Sequence, residues 1–302
     1  MLTALLPVFI LILLGYLFKQ TGFPGDSFWL AAEKITYFVF FPALLINKLA
    51  FARFDAAVAL PMAASLVLSV LCLSAGLLLL QSRSKTAGPQ FSSVFQGAIR
   101  FNSFVGLAGA SALLGSSGLT LAAVALVGMI PVINLICVPT VARFGLSQGA
   151  SLGRLVVEIV RNPLILGCAI GFALNLTPVP KPEGVFRVFD LLGRAALPIG
   201  LLAVGAGLQI QSLRTHVSGL VQASLLKLLV FPCLTAAFCL LLGVQGEART
   251  VAILFAALPT AVSSFILARQ LGGDTTLMAS IVTVQTIVSA GSIPLVLYLF
   301  AA

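Results

Sequence analysis

The chain has 302 residues, of which 60% are hydrophobic and 8% are charged, and its mean hydropathy is +1.16. Soluble domains average about 25% charged residues, so this composition excludes a soluble globular protein. The net charge of +9 is scattered over the predicted helix ends and forms no basic stripe. It therefore argues against nucleic acid as a partner and favours anionic membrane lipids. The five cysteines lack metal-ligand spacing, and no cofactor is expected.

Apolar stretches of about 20 residues, the length that crosses a bilayer as a helix, follow one another along the chain. Runs of this length without alternation are untypical of a membrane barrel. We therefore predict an all-α membrane protein with ten spans. Their limits are 2–18, 28–50, 56–80, 91–114 and 119–142, then 155–176, 185–210, 217–243, 250–271 and 276–301.

The second half of the sequence repeats the first at a nearly constant offset. Five prolines, glycines and threonines of the first half recur 156 residues later, including Pro7 as Pro163 and Gly15 as Gly171. Each copy carries five spans, an odd number, so the second copy enters the membrane in the opposite direction. The sequence therefore predicts two inverted five-helix repeats, residues 1–145 and 154–302.

The distribution of basic residues predicts an orientation. Lys and Arg are more frequent at the span ends that face the cytoplasm when both termini lie outside. We therefore expect an integral protein of a bacterial cytoplasmic (inner) membrane with both termini outside.

Predicted spans four and nine carry signs of interrupted helices. Asn102 and Pro259 stand at equivalent places in the two repeats, 157 residues apart. Asparagine is a favoured N-cap, and proline removes a backbone donor while its fixed φ suits the first residue of a new helix. Two half-helix N-termini at mid-membrane would favour an anion. Taken singly, a proline or glycine in such a helix can also serve packing alone.

Two cations lie near the middle of predicted spans, Arg100 in span four and Lys227 in span eight, whereas every acidic residue falls near a span end or in a loop. An ionisable group at mid-membrane is costly, and it is a functional hypothesis by default. This asymmetry favours an anionic substrate. The alternative is that each cation reaches an interface or bonds to backbone carbonyls.

The predicted substrate site consists of the residues around the two interruptions. We expect backbone amides and hydroxyls to face a carboxylate, with Arg100 and Lys227 supplying the compensating charge. Asn134 and Gln285 could reach the same point, or could make interhelical hydrogen bonds instead. Besides the two cations, the predicted site includes Asn102, Ser103, Pro259, Thr260, Ser263, Ser264, Asn134 and Gln285.

These motifs resemble the auxin efflux carrier family of membrane transporters, which includes bacterial permeases linked to malate or malonate. The resemblance rests on residues 41–45, on residues 102–107, on Asn162-Pro163, on residues 258–262 and on residues 272–274. It implies ten helices in two inverted repeats, with helices four and nine broken and crossing near the substrate. It also implies a scaffold of helices 1, 2, 6 and 7 that can dimerise, and a transport domain of helices 3–5 and 8–10 that moves like an elevator.

The sequence departs from the family pattern at Ala108, where proline is frequent, and at Ser263, where asparagine is common. These departures leave the substrate undefined. We interpret the chain as a secondary active transporter of a small mono- or dicarboxylate and not as an enzyme. One alternative is a sodium-coupled symporter or cation/proton antiporter similar to bile acid symporters, so the coupling ion, H⁺ or Na⁺, stays open. Another is a membrane receptor that transports nothing.

Overall fold

The structure is a computed structural model that describes residues 2–52, 55–83, 86–146, 157, 160–210 and 217–301. Within these ranges every regular element is helical, and seven helices are long and apolar enough to cross a membrane. The predicted class, an all-helical integral membrane protein, is confirmed. Large apolar side chains such as Leu30, Leu79 and Leu241 are exposed on its outer surface, where they can face lipid.

We number the helices in chain order. The first five are α1 (Leu2–Gln20), α2 (Asp26–Ala50), α3 (Ala56–Gln81), α4 (Gly88–Ile99) and α5 (Ser103–Phe144). The others are α6 (Pro163–Leu176), α7 (Glu183–Ala206), α8 (Val217–Leu241), α9 (Gly246–Ala257), α10 (Ser263–Leu271) and α11 (Thr275–Phe300). α2 contains a π-helical turn, Thr36–Phe40, and α8 contains another, Leu226–Val230.

The helix limits divide some of the predicted spans. α5 is two helical segments joined at Gly115, whose φ of 61° and ψ of −131° suit glycine rather than a residue with a side chain. Predicted span four corresponds to α4 with the first segment of α5, and span nine corresponds to α9 with α10. Predicted span six begins outside the described residues, as does the predicted repeat boundary at residue 154. The inverted repeat stays a prediction.

Each π-helical turn precedes a proline, Pro42 in α2 and Pro232 in α8, with one residue between them. A proline ring crowds the preceding turn of an α-helix and cannot donate the usual backbone bond. A turn with i→i−5 bonds is wider and accommodates the ring. Tyr37 and Lys227 occupy the second position of these turns, so a π-helical turn sets the direction of both side chains.

The helices form two packed groups. In the first group α1 packs along α7, and α6 packs along α2, both at glycines. A Cβ on Gly15 would lie 2.0 Å from the carbonyl oxygen of Leu202, and one on Gly171 would lie 2.8 Å from the Cβ of Leu49. In the second group α9 lies at the centre, against α5, α8 and α3. Residues 251–258 are all at most 1% exposed.

Candidate functional site

The two chain interruptions lie against each other. α4 ends at Ile99 and α5 begins at Ser103, and Arg100 between them is extended, with ψ at 154°. α9 ends at Ala257 and α10 begins at Ser263. The backbone N–H of Asn102 donates to the carbonyl oxygen of Pro259 over 2.8 Å, so the non-helical segments are in direct contact.

The Asn102 side chain caps α5. Its Oδ1 accepts from the backbone N–H groups of Phe104 at 3.0 Å and Val105 at 3.2 Å. An N-cap side chain satisfies N–H groups that have no partner inside the helix. The N-cap predicted at Asn102 is therefore confirmed.

The segment after α9 differs from the prediction, because α10 begins at Ser263 and not at Pro259. Leu258 is extended, with ψ at 145°, as steric crowding before a proline favours. The N–H of Thr260 then donates to Oε1 of Gln285 over 2.9 Å instead of starting a helix. The Thr260 hydroxyl lies 3.2 Å from that of Ser264, and both residues are fully buried.

Gln285 of α11 joins three parts of the second group. Besides accepting from Thr260, its Nε2 donates to the carbonyl oxygens of Gly97 at 3.0 Å and Ala223 at 3.2 Å. The side chain is fully buried. Of the two roles that the sequence left open for Gln285, the structure shows the interhelical hydrogen bond.

These bonds change the set of groups that can face a ligand. The amides of Asn102 and Thr260, which the sequence assigned to a carboxylate, are bonded inside the protein to Pro259 and Gln285. The reason is that non-helical backbone at membrane depth requires partners inside the protein. Ser103 is half-buried at the first position of α5.

Arg100 forms the polar centre of the site. Its Nη1 donates to Oδ1 of Asn134 at 3.1 Å and its Nη2 donates to Oγ of Ser263 at 3.3 Å. Its Nε is buried and has no hydrogen-bond partner. Among the described residues no carboxylate forms an ion pair with it. The structure thus brings two predicted residues, Asn134 and Ser263, to the guanidinium of a third, Arg100.

Lys227 is placed differently. It is 0% exposed, and it is the one charged side chain that is fully buried in the part of the chain that the structure describes. Its Nζ has no hydrogen-bond partner and lies 4.3 Å from the centre of the Phe231 ring. The ring face is attractive to a cation. No hydrogen bond joins Lys227 to the other predicted site residues.

Tyr37 and Asn162, to which the sequence pattern assigns no role, lie beside the first turn of α5. Asn162 donates through Nδ2 to the Tyr37 hydroxyl at 3.1 Å, and that hydroxyl is within electrostatic range of Arg100. The Tyr37 ring centre is 6.4 Å from that of Phe104. One signal was present, since Asn162 before Pro163 has the pattern of an N-cap followed by proline at the first helical position.

A helical membrane protein with paired interruptions at an uncompensated cation has the features of a membrane transporter. Residues 147–297 match a family model described as "Membrane transport protein", and the chain belongs to this family, that of the auxin efflux carriers. The family consists of transporters and not of enzymes, so this chain is an integral membrane transporter with a small-molecule substrate.

Two curated relatives agree with this assignment. An "Uncharacterized transporter" of Methanothermobacter thermautotrophicus is 25% identical over 298 residues, which cover 96% of this chain and 95% of the relative. A "Putative malonate transporter" of Rhizobium meliloti is 27% identical over 213 residues, which cover 64% of this chain and 66% of the relative.

Proposed function

We propose that this protein is a secondary active transporter of a small organic anion, a mono- or dicarboxylate, which binds at Arg100. The observation that carries the proposal is the guanidinium with an unpartnered Nε and no acidic neighbour within the described ranges. A charge at this depth is costly unless an opposite charge compensates it. Because the described residues supply none there, a bound anion is the natural partner.

The geometry of Arg100 suits a carboxylate. Its contacts with Asn134 and Ser263 fix the guanidinium plane, and the Arg100 side chain stays partly exposed on the side of Ser263. Arginine can bind a carboxylate through two parallel hydrogen bonds. The name of the Rhizobium meliloti relative includes malonate, a dicarboxylate of suitable size.

Lys227 would act without touching the substrate, because its side chain is enclosed by the protein. The charge of a bound anion would favour the protonated form of this amine, and the positive potential of the protonated amine acts at some distance. We propose that it strengthens anion binding in this way, with a larger effect on a dicarboxylate than on a monocarboxylate.

One pair of helix contacts and one hydrogen bond support the ten-span inverted repeat. Gly15 of α1 meets α7, and its repeat counterpart Gly171 of α6 meets α2. Exchanging the two repeats therefore converts one of these contacts into the other. A two-fold axis in the membrane plane relates inverted repeats in this way. The bond between Asn102 and Pro259 likewise joins counterparts.

We further propose that α1, α2, α6 and α7 form a scaffold through which a homodimer assembles, and that the remaining helices form the mobile domain. The extensive packing of α1 on α7 and of α2 on α6 and α7 supports this division. Elevator-like movement of the second group would carry Arg100 and its anion across the membrane. We also propose that both termini lie on the outer side of a bacterial inner membrane, because Lys and Arg are more frequent at the opposite span ends.

The test is uptake of radiolabelled malonate, malate and acetate into proteoliposomes that contain the purified protein. Arg100→Gln should abolish uptake while the variant still purifies as a folded protein. Arg187→Gln is the matched control, because Arg187 is exposed and pairs with Glu183 at the surface. Full uptake by Arg100→Gln of an anion that the parent transports would overturn the proposal.

Further measurements distinguish an organic-anion carrier from a receptor and from a sodium-coupled transporter. Counterflow of labelled anion against unlabelled anion occurs in a carrier and not in a receptor that only binds. Replacement of sodium by choline, and separately a pH gradient, identifies the coupling ion. Uptake that requires sodium and persists without Arg100 would favour the sodium-coupled alternative.

A further inference from the structure

We infer that Tyr37 and Asn162 complete the anion site from the side of α2 and α6, with the Tyr37 hydroxyl donating a hydrogen bond to the carboxylate that Arg100 holds. The inference rests on the proposed function, and it adds a residue that determines substrate affinity. It follows from the orientation of one amide, from the position of one ring and from the chemistry of a carboxylate.

The orientation of the Asn162 amide is fixed by α6. Its Oδ1 accepts from the backbone N–H groups of Leu164 at 3.0 Å and Ile165 at 3.3 Å, as an N-cap does. Its Nδ2 must therefore point the other way, where it donates to the Tyr37 hydroxyl at 3.1 Å. In this bond the phenolic oxygen is the acceptor. The hydroxyl hydrogen of Tyr37 remains available for another acceptor.

Tyr37 packs near the first turn of α5. Its ring lies 6.4 Å from the ring of Phe104, which stacks on Phe41 at 4.8 Å. Phe104 is in the first turn of α5, whose cap is Asn102, two residues after Arg100. The Tyr37 ring is thus held against the segment that carries the guanidinium, and its hydroxyl lies within electrostatic range of Arg100.

A carboxylate between these groups would have complementary partners on two sides. The guanidinium supplies charge and a planar edge, and the phenol supplies one directed donor. A carboxylate accepts both, whereas a neutral analogue gains little from the guanidinium. Because Tyr37 belongs to the proposed scaffold and Arg100 to the proposed mobile domain, the anion would bridge the two groups of helices.

The experiment compares Tyr37→Phe with Tyr298→Phe in malonate uptake by proteoliposomes. The first substitution keeps the ring against Phe104 and removes the hydroxyl, and Tyr298 is 76% exposed on α11 and serves as the control. Loss of a hydrogen bond to a charged ligand should raise KM roughly 10- to 100-fold in Tyr37→Phe. The maximal rate and the melting temperature should stay close to those of the parent.

A second variant separates the role of Asn162 from its cap. Asn162→Ser keeps an N-cap acceptor but removes the amide that fixes the phenol, so KM should rise by a smaller factor with little change in melting temperature. An unchanged KM in Tyr37→Phe, with uptake lost in Arg100→Gln, would overturn this inference and leave the proposed function standing. Uptake that survives Arg100→Gln would instead remove the proposed function itself.

Discussion

The backbone N–H of Asn102 donates a hydrogen bond to the carbonyl oxygen of Pro259 across 2.8 Å. The two residues come from interruptions 157 positions apart, at equivalent places in the repeated sequence. Non-helical backbone at membrane depth is tolerated only where other groups satisfy it. Each interruption therefore depends on the other, so a substitution in one should also alter the structure of the other.

The first prediction concerns the cap at Asn102. Asn102→Ala leaves the N–H groups of Phe104 and Val105 without their acceptor and should destabilise the protein by about 1 kcal/mol, within a range of about 0.5–2. Asn102→Ser should recover most of this loss, because serine also caps. Thermal unfolding followed by the fluorescence of Trp29, the single tryptophan, measures both. Equal melting temperatures for the alanine and serine variants would contradict the assigned role.

The second prediction concerns Gln285. Gln285→Leu keeps the approximate volume but leaves Thr260 N–H and the carbonyl oxygens of Gly97 and Ala223 without this partner. An unsatisfied buried polar group costs about 1–3 kcal/mol, so the variant should be among the least stable. Gln222→Leu on the exposed face of α8 is the control and should melt near the parent. A stable Gln285→Leu variant would mean that water or another side chain takes over these bonds.

The third prediction separates stability from transport at Lys227. A buried amine without a hydrogen-bond partner is costly, and an apolar residue of similar size removes that cost. Lys227→Met should therefore melt at or above the temperature of the parent, while malonate uptake falls. Comparison of melting and uptake on the same preparation checks both halves. A large drop in melting temperature would show that the amine is held by interactions that the structure does not contain.

The sequence was informative where the cause was local. Composition alone predicted the membrane class, and an asparagine before a helical run predicted the cap at Asn102. The helix start expected at Pro259 was wrong because the next amide bonds to Gln285, which is 25 residues further along the chain. No local sequence pattern indicates that Gln285 is the partner of this amide.

The position of Tyr37 beside Asn162 likewise depends on a distant partner. Its partner Asn162 is 125 residues away, and the two meet only because α2 and α6 pack together. A tyrosine in an apolar span looks like an ordinary packing residue. Arg100 was visible because charge at mid-membrane is rare, but its contacts with Asn134 and Ser263 required the fold.

The last prediction compares two glycines that the sequence does not distinguish. In α7 a Cβ on Gly205 would lie 1.8 Å from the carbonyl oxygen of Ile12, so Gly205→Ala must push α1 and α7 apart. In α3 a Cβ on Gly76 would meet nothing within 4 Å, so Gly76→Ala should be neutral or stabilising by up to about 1 kcal/mol through helix propensity. Gly205→Ala should therefore melt below the parent, whereas Gly76→Ala should melt at or above the temperature of the parent. Because α1 and α7 belong to the proposed scaffold, Gly205→Ala should also weaken any dimer, which light scattering in detergent can measure. If both variants melt together, the close approach of α1 and α7 does not stabilise the scaffold.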